Sequence, residues 1–337
     1  SMILITSPQI IGFNIRNGSR SDLQGWFEGD GSGILIEGTV NPTIKNCDIN
    51  NNNASAGGGI CITGDFYTWN SQMCQPILEN LIIRDNDGSF QGNFEGGGIY
   101  FRYNSYPTFN NIDFINNTGY KGGAVFNDNY HDSLIIFNNC DFINNSAFEL
   151  GGAIFVDDMG TTFNNCNFHG NNSNLGAGAV YAQGEGVTFN NTNFIKNYTG
   201  VTLGVSAIST DGSDVTLNNV LIDSNYTIGG NHATIQFKAD FHSTTTVLNN
   251  VTVTNNYTID DGTGSGGQGF EHYGATVLIS SGQEVNNSYI NNVLISNNFG
   301  KALWVAATAN FSYVPTSTIV NMTVANNYGG YNFLGSG

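Results

Sequence analysis

Two aspartates occupy matching positions in neighbouring copies of a repeated sequence, Asp113 in FNNIDFINN and Asp141 in FNNCDFINN. If these copies stack as parallel strands, the two carboxylates lie roughly 5 Å apart. Carboxylates at that distance either share a cation, or one of them has a raised pKa. Because oxygen ligands suit Ca²⁺, the pair is a candidate calcium site and a candidate pair of catalytic acids. The alternative is two solvated surface acids.

A second candidate for acid–base chemistry is the dipeptide Glu271-His272 in a long insertion near the C-terminus. Histidine titrates near neutral pH, where proton transfer is useful to an enzyme. If this insertion meets the earlier one that contains His242, Glu271 and His272 form a candidate catalytic pair. The alternative is a variable loop with scattered polar residues.

Aromatic and charged residues concentrate in three N-terminal segments that depart most from the repeat. Loops on a regular scaffold commonly carry binding residues, and aromatic rings beside carboxylates and a guanidinium suit carbohydrate binding. The alternative is that these side chains only cover the core. The candidate ligand-binding residues are Trp26, Tyr67, Trp69, Arg84, Tyr100, Arg102 and Tyr103.

The repeat itself fills the chain. An apolar anchor residue, Phe142 in the clearest copy, recurs at steps of 26 to 42 residues. Around it, apolar and polar residues alternate with a period of two, which is typical of a strand and not of a helix. The eleven anchors are Ile15, Ile49, Ile83, Phe114, Phe142, Phe168, Phe194, Ile222, Val253, Ile295 and Val324.

Asparagine recurs three residues before and three residues after the anchor. Asparagine tolerates left-handed backbone geometry, and its amide can donate and accept along a stack of identical amides. We therefore predict two ladders with a structural role. In the clearest copies the first contains Asn111, Asn139, Asn165 and Asn191, and the second contains Asn117, Asn145, Asn171 and Asn197.

A unit of short strands cannot bury its own apolar face, whereas stacked copies can. The sequence therefore predicts an all-β, single-stranded right-handed parallel β-helix of about eleven rungs, with longer loops after the early and late rungs. The uninterrupted repeat predicts one domain over residues 1–337. We expect this domain to be part of a larger secreted or surface protein.

The pairing of FxxN with GGA(I/V) resembles the repeat of the polymorphic outer-membrane-protein family of autotransporter adhesins. The motifs that carry it are Phe114 to Asn117 and Phe142 to Asn145, with Gly122 to Val125 and Gly151 to Ile154. More broadly the chain is similar to the pectate-lyase-like superfamily, which contains polysaccharide lyases, hydrolases, tailspikes and adhesins. The resemblance implies a right-handed β-helix and an extracellular or cell-surface location. It leaves the activity open, because one scaffold hosts many functions.

The formal net charge of −17 argues against nucleic acid as a partner, because phosphates would be repelled. No apolar run is long enough to span a membrane as a helix, so we expect no membrane insertion. The five cysteines lack metal-binding spacing and suit a core position. Cys61 and Cys74 bracket a loop, and a disulfide between them remains open.

Three functions are compatible with the sequence. The first is a non-catalytic adhesin or stalk that binds a glycan or a protein partner through aromatic-rich loops. The second is a polysaccharide lyase or glycoside hydrolase of the pectate-lyase-like type, for which the few scattered basic residues are unfavourable if the polymer is acidic. A third is a tailspike or fibre segment, which differs from the first mainly in trimerisation.

Overall fold

The computed structural model shows a parallel β-solenoid in which each coil runs through three sheets. It contains strands, turns and bends, and no helix occurs among the described residues. The structure describes residues 8–19, 31–65, 73–89, 95–129, 134–158, 160–200, 204–227, 233–239, 243–258, 274–281, 284–307, 316–328 and 334–335.

Within the described residues, sheet 1 has 16 strands, sheet 2 has six and sheet 3 has 11. Sheet 1 contains Gln9–Ile11, Asn14–Arg16, Thr43–Lys45, Asp48–Asn50, Ile77–Arg84, Thr108–Ile115, Ile135–Asn138, Asp141–Ile143, Thr161–Asn164, Asn167–His169, Val187–Asn190, Asn193–Ile195, Val215–Asp223, Thr244–Thr254, Asn286–Ser296 and Ser317–Ala325. Sheet 2 contains Thr118–Gly119, Ser146–Ala147, Asn172–Ser173, Tyr198–Thr199, Tyr226–Thr227 and Tyr257–Thr258. Sheet 3 contains Ile34–Glu37, Ile60–Thr63, Ile99–Arg102, Val125–Asp128, Ile154–Asp157, Val180–Gln183, Val205–Asp211, Ala233–Ala239, Ala275–Ser281, Lys301–Ala307 and Leu334–Gly335.

The predicted fold class is confirmed, and all pairings in the three sheets are parallel between successive coils. The anchors are vertical neighbours, as in the pairs Phe114–Phe142 and Phe142–Phe168. The number of complete turns is slightly lower than the predicted eleven rungs. In the described part of the chain, sheet 2 has only six strands and continues towards both ends as isolated bridges.

The interior is a single dry core built from stacked apolar columns. The rings of Phe114, Phe142 and Phe168 stack at centroid distances of 4.8 and 4.6 Å. A second stack, which includes Phe137 and Phe163 at 5.0 Å, meets the first edge to face. In the coils that contain these rings, the core-facing residues before and after the Asn corner therefore form two columns of rings that pack against each other.

The first Asn ladder is confirmed as a row of exposed corners. Asn139, Asn165 and Asn191 have φ of 52°, 53° and 50°, which is the left-handed region that Asn tolerates. Each Nδ2 donates to the Oδ1 of the preceding coil, at 3.2 Å from Asn165 to Asn139 and 3.2 Å from Asn191 to Asn165. The predicted geometry and the predicted amide stack are both present here.

The second Asn ladder has the predicted stack of amides but not the predicted left-handed geometry. Its members are buried, and the left-handed residue is the one before each of them, for example Asn116 and Asn144 with φ of 53°. Asn145 Nδ2 donates inward to Phe114 O at 2.9 Å and to Asn171 Oδ1 at 3.0 Å. The structural role of these amides is to satisfy buried backbone groups at the corner, and it does not depend on a left-handed φ of their own.

The structure contains a third amide ladder that was not predicted from the sequence. The residue just before the first ladder is also Asn in several coils, and the chain Asn110, Asn138, Asn164, Asn190 and Asn218 is joined by Nδ2 to Oδ1 hydrogen bonds of 2.9 to 3.0 Å. The repeated Asn-Asn dipeptide was the available signal.

The Gly-Gly motif builds the turn into sheet 3. Gly151 has φ of 66°, which glycine adopts at no steric cost. A Cβ on Gly152 would collide with the carbonyl oxygens of Asn172 and Gly178. One glycine therefore provides a left-handed turn, and the next allows the adjacent coil to approach.

The five cysteines are buried and form no disulfide with one another. Cys74 belongs to the main core, whereas Cys61 packs outside it with Tyr100 and Phe126. Burial raises the pKa of Cys74 to about 12, so this thiol stays protonated and is a poor nucleophile. Cys61 and Cys74 therefore act as apolar packing residues in this structure.

Candidate functional site

The outward face of sheet 3 carries a further aromatic stack, separate from the two in the core. In the strand Ile99–Arg102, Tyr100 faces away from the core and aligns with Phe126, Phe155 and Tyr181 of the following coils. Their ring centroids are 5.6, 4.9 and 5.3 Å apart in that order. Tyr100, Phe126 and Phe155 are buried, so their rings form a rigid floor and are not open stacking faces.

Arg102 makes cation–π contacts with two other predicted binding residues, Tyr100 and Tyr103. Its guanidinium carbon lies 5.3 Å from the ring centroid of Tyr100 and 4.9 Å from that of Tyr103. The Tyr100 hydroxyl donates to Asp128 Oδ2 at 2.7 Å. Tyr100, Arg102, Tyr103 and Asp128, here called the Tyr100 cluster, therefore form one connected group of rings, a cation and a carboxylate.

The backbone at this cluster is strained. Tyr103 and Asn104 are consecutive left-handed residues, with φ of 51° and 48°. A bulky side chain at positive φ is rare, and such outliers often occur at functional sites. Gly64 of the preceding coil allows the geometry, because a Cβ there would overlap the Tyr103 carbonyl oxygen.

Three carboxylates line the cluster, and we call Glu95, Glu149 and Asp157 the acidic rim. Burial raises the pKa of Glu95 to about 7, with further contributions from Asp128, Asp157 and Glu149 that exceed the opposing effect of Lys121. Burial also raises the pKa of Asp157, although Gln183 Nε2 donates to its Oδ1 at 2.6 Å. A protonated Glu95 can donate a proton or a hydrogen bond near neutral pH.

Lys121 is the cation of the rim. Its Nζ lies 3.9 Å from Glu149 Oε2 and 5.0 Å from the ring centroid of Phe155. The face of sheet 3 thus already holds two cations on aromatic rings, Lys121 and Arg102. This arrangement offers hydrogen-bonding groups of both kinds, donors and acceptors, above a rigid apolar floor.

Arg84 lies on another sheet, apart from the cluster. In sheet 1 its Nε and Nη2 bond to Asp48 at 3.2 and 3.0 Å, and its Nη1 bonds to Asp85 at 3.0 Å. The guanidinium is occupied by two carboxylates of its own chain. Arg84 is therefore not brought together with Tyr100, Arg102 and Tyr103.

Asp113 and Asp141 are direct neighbours in the outward column of sheet 1, as their spacing predicted. Burial, and then the charge of Asp141, raise the pKa of Asp113. Asn167 Nδ2 donates to Asp141 Oδ1 at 2.7 Å on the other side. Among the described residues, no group of three or more His, Cys, Asp or Glu side chains is placed to hold a metal ion. The calcium site on Asp113 and Asp141 stays a prediction.

The remaining candidates lie outside the described residues. These are Trp26, Tyr67 and Trp69 among the binding residues, and Glu271 and His272 among the catalytic ones. The residues of the candidate site that the sequence reasoning did not single out include Asp128 and Asp157. Each ends the strand that follows a Gly-Gly-Ala turn, in GGAVFND and GGAIFVD, so the repeat did contain a signal.

A model of the right-handed β-helix region matches residues 6–194. The chain belongs to the right-handed β-helix family. The matched region includes the Tyr100 cluster and the acidic rim. No curated protein and no solved structure showed a significant match. In the described part of the chain, no helix has the length and apolarity that a membrane crossing requires.

Proposed function

We propose that this β-helix is a non-catalytic carbohydrate-binding module of a secreted or cell-surface protein, with an adhesin-like role as in the polymorphic outer-membrane-protein repeat. The observation that carries the proposal is the Tyr100 cluster with its acidic rim. It combines carboxylates, a guanidinium and a phenol on one face, as recognition of sugar hydroxyls requires. The Tyr100 hydroxyl donates to the carboxylate of Asp128, and a sugar hydroxyl makes the same kind of hydrogen bond with a carboxylate.

The charge of the protein favours a neutral or basic ligand over an acidic one. Acidic residues outnumber basic ones by 26 to 9 in the chain, and the Tyr100 cluster and its acidic rim together have four carboxylates against Lys121 and Arg102. A polymer of uronic acids would meet like charges on this face, which lowers its affinity. The proposed ligand of the Tyr100 cluster is therefore a glycan without carboxylates.

The experiment is a glycan array followed by titration calorimetry on the strongest hit. Tyr103→Ala and Asp157→Asn should each weaken binding by about tenfold, since each removes one ring contact or one charged hydrogen bond. Glu79→Gln is the matched control, because Glu79 is an acid of sheet 1 that pairs with Lys45 at 2.6 Å, away from the cluster. Absence of glycan retention by the wild type, or equal affinity in all three variants, rejects the proposal.

A second function, glycoside hydrolysis, is favoured by one observation, the pKa of Glu95 near 7. A glycosidase needs one protonated and one ionised carboxyl group, and Glu95 suits the protonated role. Incubation with a polysaccharide panel tests it, with new reducing ends as the readout and unsaturated uronate absorbance as the sign of a lyase instead. Turnover that is lost in Glu95→Gln establishes the enzyme, whereas no turnover on any polymer retires it.

A further inference from the structure

A column of aromatic side chains follows sheet 2 along the last five coils. Each residue comes directly after a buried Asn of the second ladder and is paired in register with the next coil. Successive coils are about 4.8 Å apart, so the column extends over roughly 19 Å. The five residues, here called the aromatic column, are Tyr198, Tyr226, Tyr257, Phe299 and Tyr328.

The fold does not require aromatic residues at this position. In earlier coils the same column contains Thr118, Ser146 and Asn172, and the strand pairing there is the same. Three of the aromatic side chains are also poorly covered, since Tyr257, Phe299 and Tyr328 are 43%, 43% and 65% exposed. An exposed apolar column that the coil geometry does not need indicates a binding surface.

Four of the five rings are arranged in two pairs. Tyr198 and Tyr226 stack at 4.9 Å with an interplanar angle of 2°, and Tyr257 and Phe299 lie at 4.8 Å with a tilt of 35°. Burial, and then the neighbouring Tyr198, raise the pKa of Tyr226, so its phenol stays a hydrogen-bond donor. The column thus combines closely spaced rings with phenol hydroxyls, and its last three members are exposed.

The flank of the column carries no charge at its left-handed corner in the last four coils. The residue two positions before each ring is left-handed; it is Lys196 in the first coil of the column and Ser224 in the second, and in the last three coils it is an exposed amide, Asn255, Asn297 or Asn326. Asn255 Nδ2 donates to Asp223 Oδ1 at 2.8 Å, so that carboxylate has an amide partner. Rings beside amides suit a ligand that has apolar patches and many hydroxyls but no charge.

We propose that the aromatic column is a second binding site, which takes an uncharged polysaccharide chain lying along the stack of coils. This site is separate from the Tyr100 cluster, because it lies on sheet 2 and not on sheet 3, and in later coils. A row of similar contacts at one repeat distance favours an extended polymer over a single sugar. Binding should therefore strengthen with chain length.

The test uses affinity electrophoresis of the full chain in hydroxyethylcellulose, xylan and polygalacturonate, with β-1,4-glucan oligosaccharides of increasing length as competitors. The double variant Tyr257→Ser/Phe299→Asn copies residues found in the same column of earlier coils, so the coil can form without the rings. We expect its affinity for the neutral polymers to be lower than that of the wild type by at least about tenfold. Tyr289→Ser is the matched control, since Tyr289 is 52% exposed on sheet 1.

Three results overturn this proposal. They are unchanged binding in the double variant, stronger retardation of the wild type by polygalacturonate than by the neutral polymers, and no gain in competition with oligosaccharide length. Tyr103→Ala removes a ring from the Tyr100 cluster and tests the first site, and the gain in competition with oligosaccharide length should persist in this variant. If Tyr103→Ala abolishes all retardation and the double variant abolishes none, the aromatic column is rejected while the first proposed site stands.

Discussion

Arg102 lies over the ring of Tyr103 at 4.9 Å from its centroid, although Tyr103 itself has a left-handed φ of 51°. The chain thus holds a strained residue in place opposite a buried cation. We expect Tyr103→Gly to change the free energy of unfolding by less than ~1 kcal/mol, because relief of roughly 1 kcal/mol of strain offsets a lost cation–π contact of similar size. Glycan binding should nevertheless fall.

Chemical denaturation and calorimetry separate these two effects. Tyr103→Phe is the control, because it keeps the ring that Arg102 contacts and should keep most of the binding. Wild-type affinity in Tyr103→Gly contradicts a role for the ring in the ligand site. A large loss of stability in that variant shows instead that the ring is structural.

The second Asn ladder should be far more sensitive to substitution than the first. Asn145 accepts from both the backbone N and Nδ2 of Asn117 at 3.0 Å and donates to Phe114 O and Asn171 Oδ1. Asn145→Leu removes these four buried side-chain hydrogen bonds and should cost about 2–5 kcal/mol. Asn139→Gly, at an exposed left-handed corner, should cost less than ~1 kcal/mol. Urea unfolding measures both, and equal costs contradict the distinction.

Stability should depend on the protonation of Glu95. Its pKa in the folded protein is about 7, above the ordinary value of 4.5, so the folded state holds the proton more tightly. The contribution of this group is therefore complete below about pH 4.5 and is lost as the pH rises to about 7. In Glu95→Gln, the midpoint of urea unfolding should fall less over this range than in the wild type. Parallel profiles of the two proteins contradict the shift.

Much of the fold could be predicted because the repeat constrains it repeatedly. The anchor Phe142 and the corner Asn139 recur in register, so the stacking direction, the core column and the exposed ladder all follow from the spacing. The role of Asn145 was predicted less well. Spacing alone cannot distinguish an Asn that adopts a left-handed φ from one that follows a left-handed residue and turns inward.

The candidate site was less accessible to sequence reasoning, for a geometric reason. Tyr100 and Asp128 are 28 residues apart and meet only because one coil is laid on the next in a particular register. The burial of the Tyr100 ring, which removes it as a stacking face, also depends on that register. The aromatic column was visible as the repeated dipeptide Asn-Tyr, but its exposure was not.

The paired acids of sheet 1 give the last prediction. Burial and the charge of Asp141 raise the pKa of Asp113, so its ionised form opposes folding and stability falls as the pH rises through that pKa. Asp113→Asn removes one of the like charges and should stabilise the protein at pH 7, by less than ~1 kcal/mol because solvent screens the half-exposed pair. An Asn here also resembles Asn167, which already donates to Asp141 at 2.7 Å.

Calcium separates the two interpretations of this pair. If Asp113 and Asp141 bind Ca²⁺, millimolar CaCl₂ should raise the unfolding temperature of the wild type but not that of Asp113→Asn, because a hard cation needs both carboxylates. Asp223→Asn is the control, since Asp223 is an acid of the same sheet whose register neighbours are Ile195 and Thr254. Differential scanning calorimetry with and without CaCl₂ gives the answer. An equal response of wild type and Asp113→Asn rejects the calcium site and leaves two acids whose repulsion the fold tolerates.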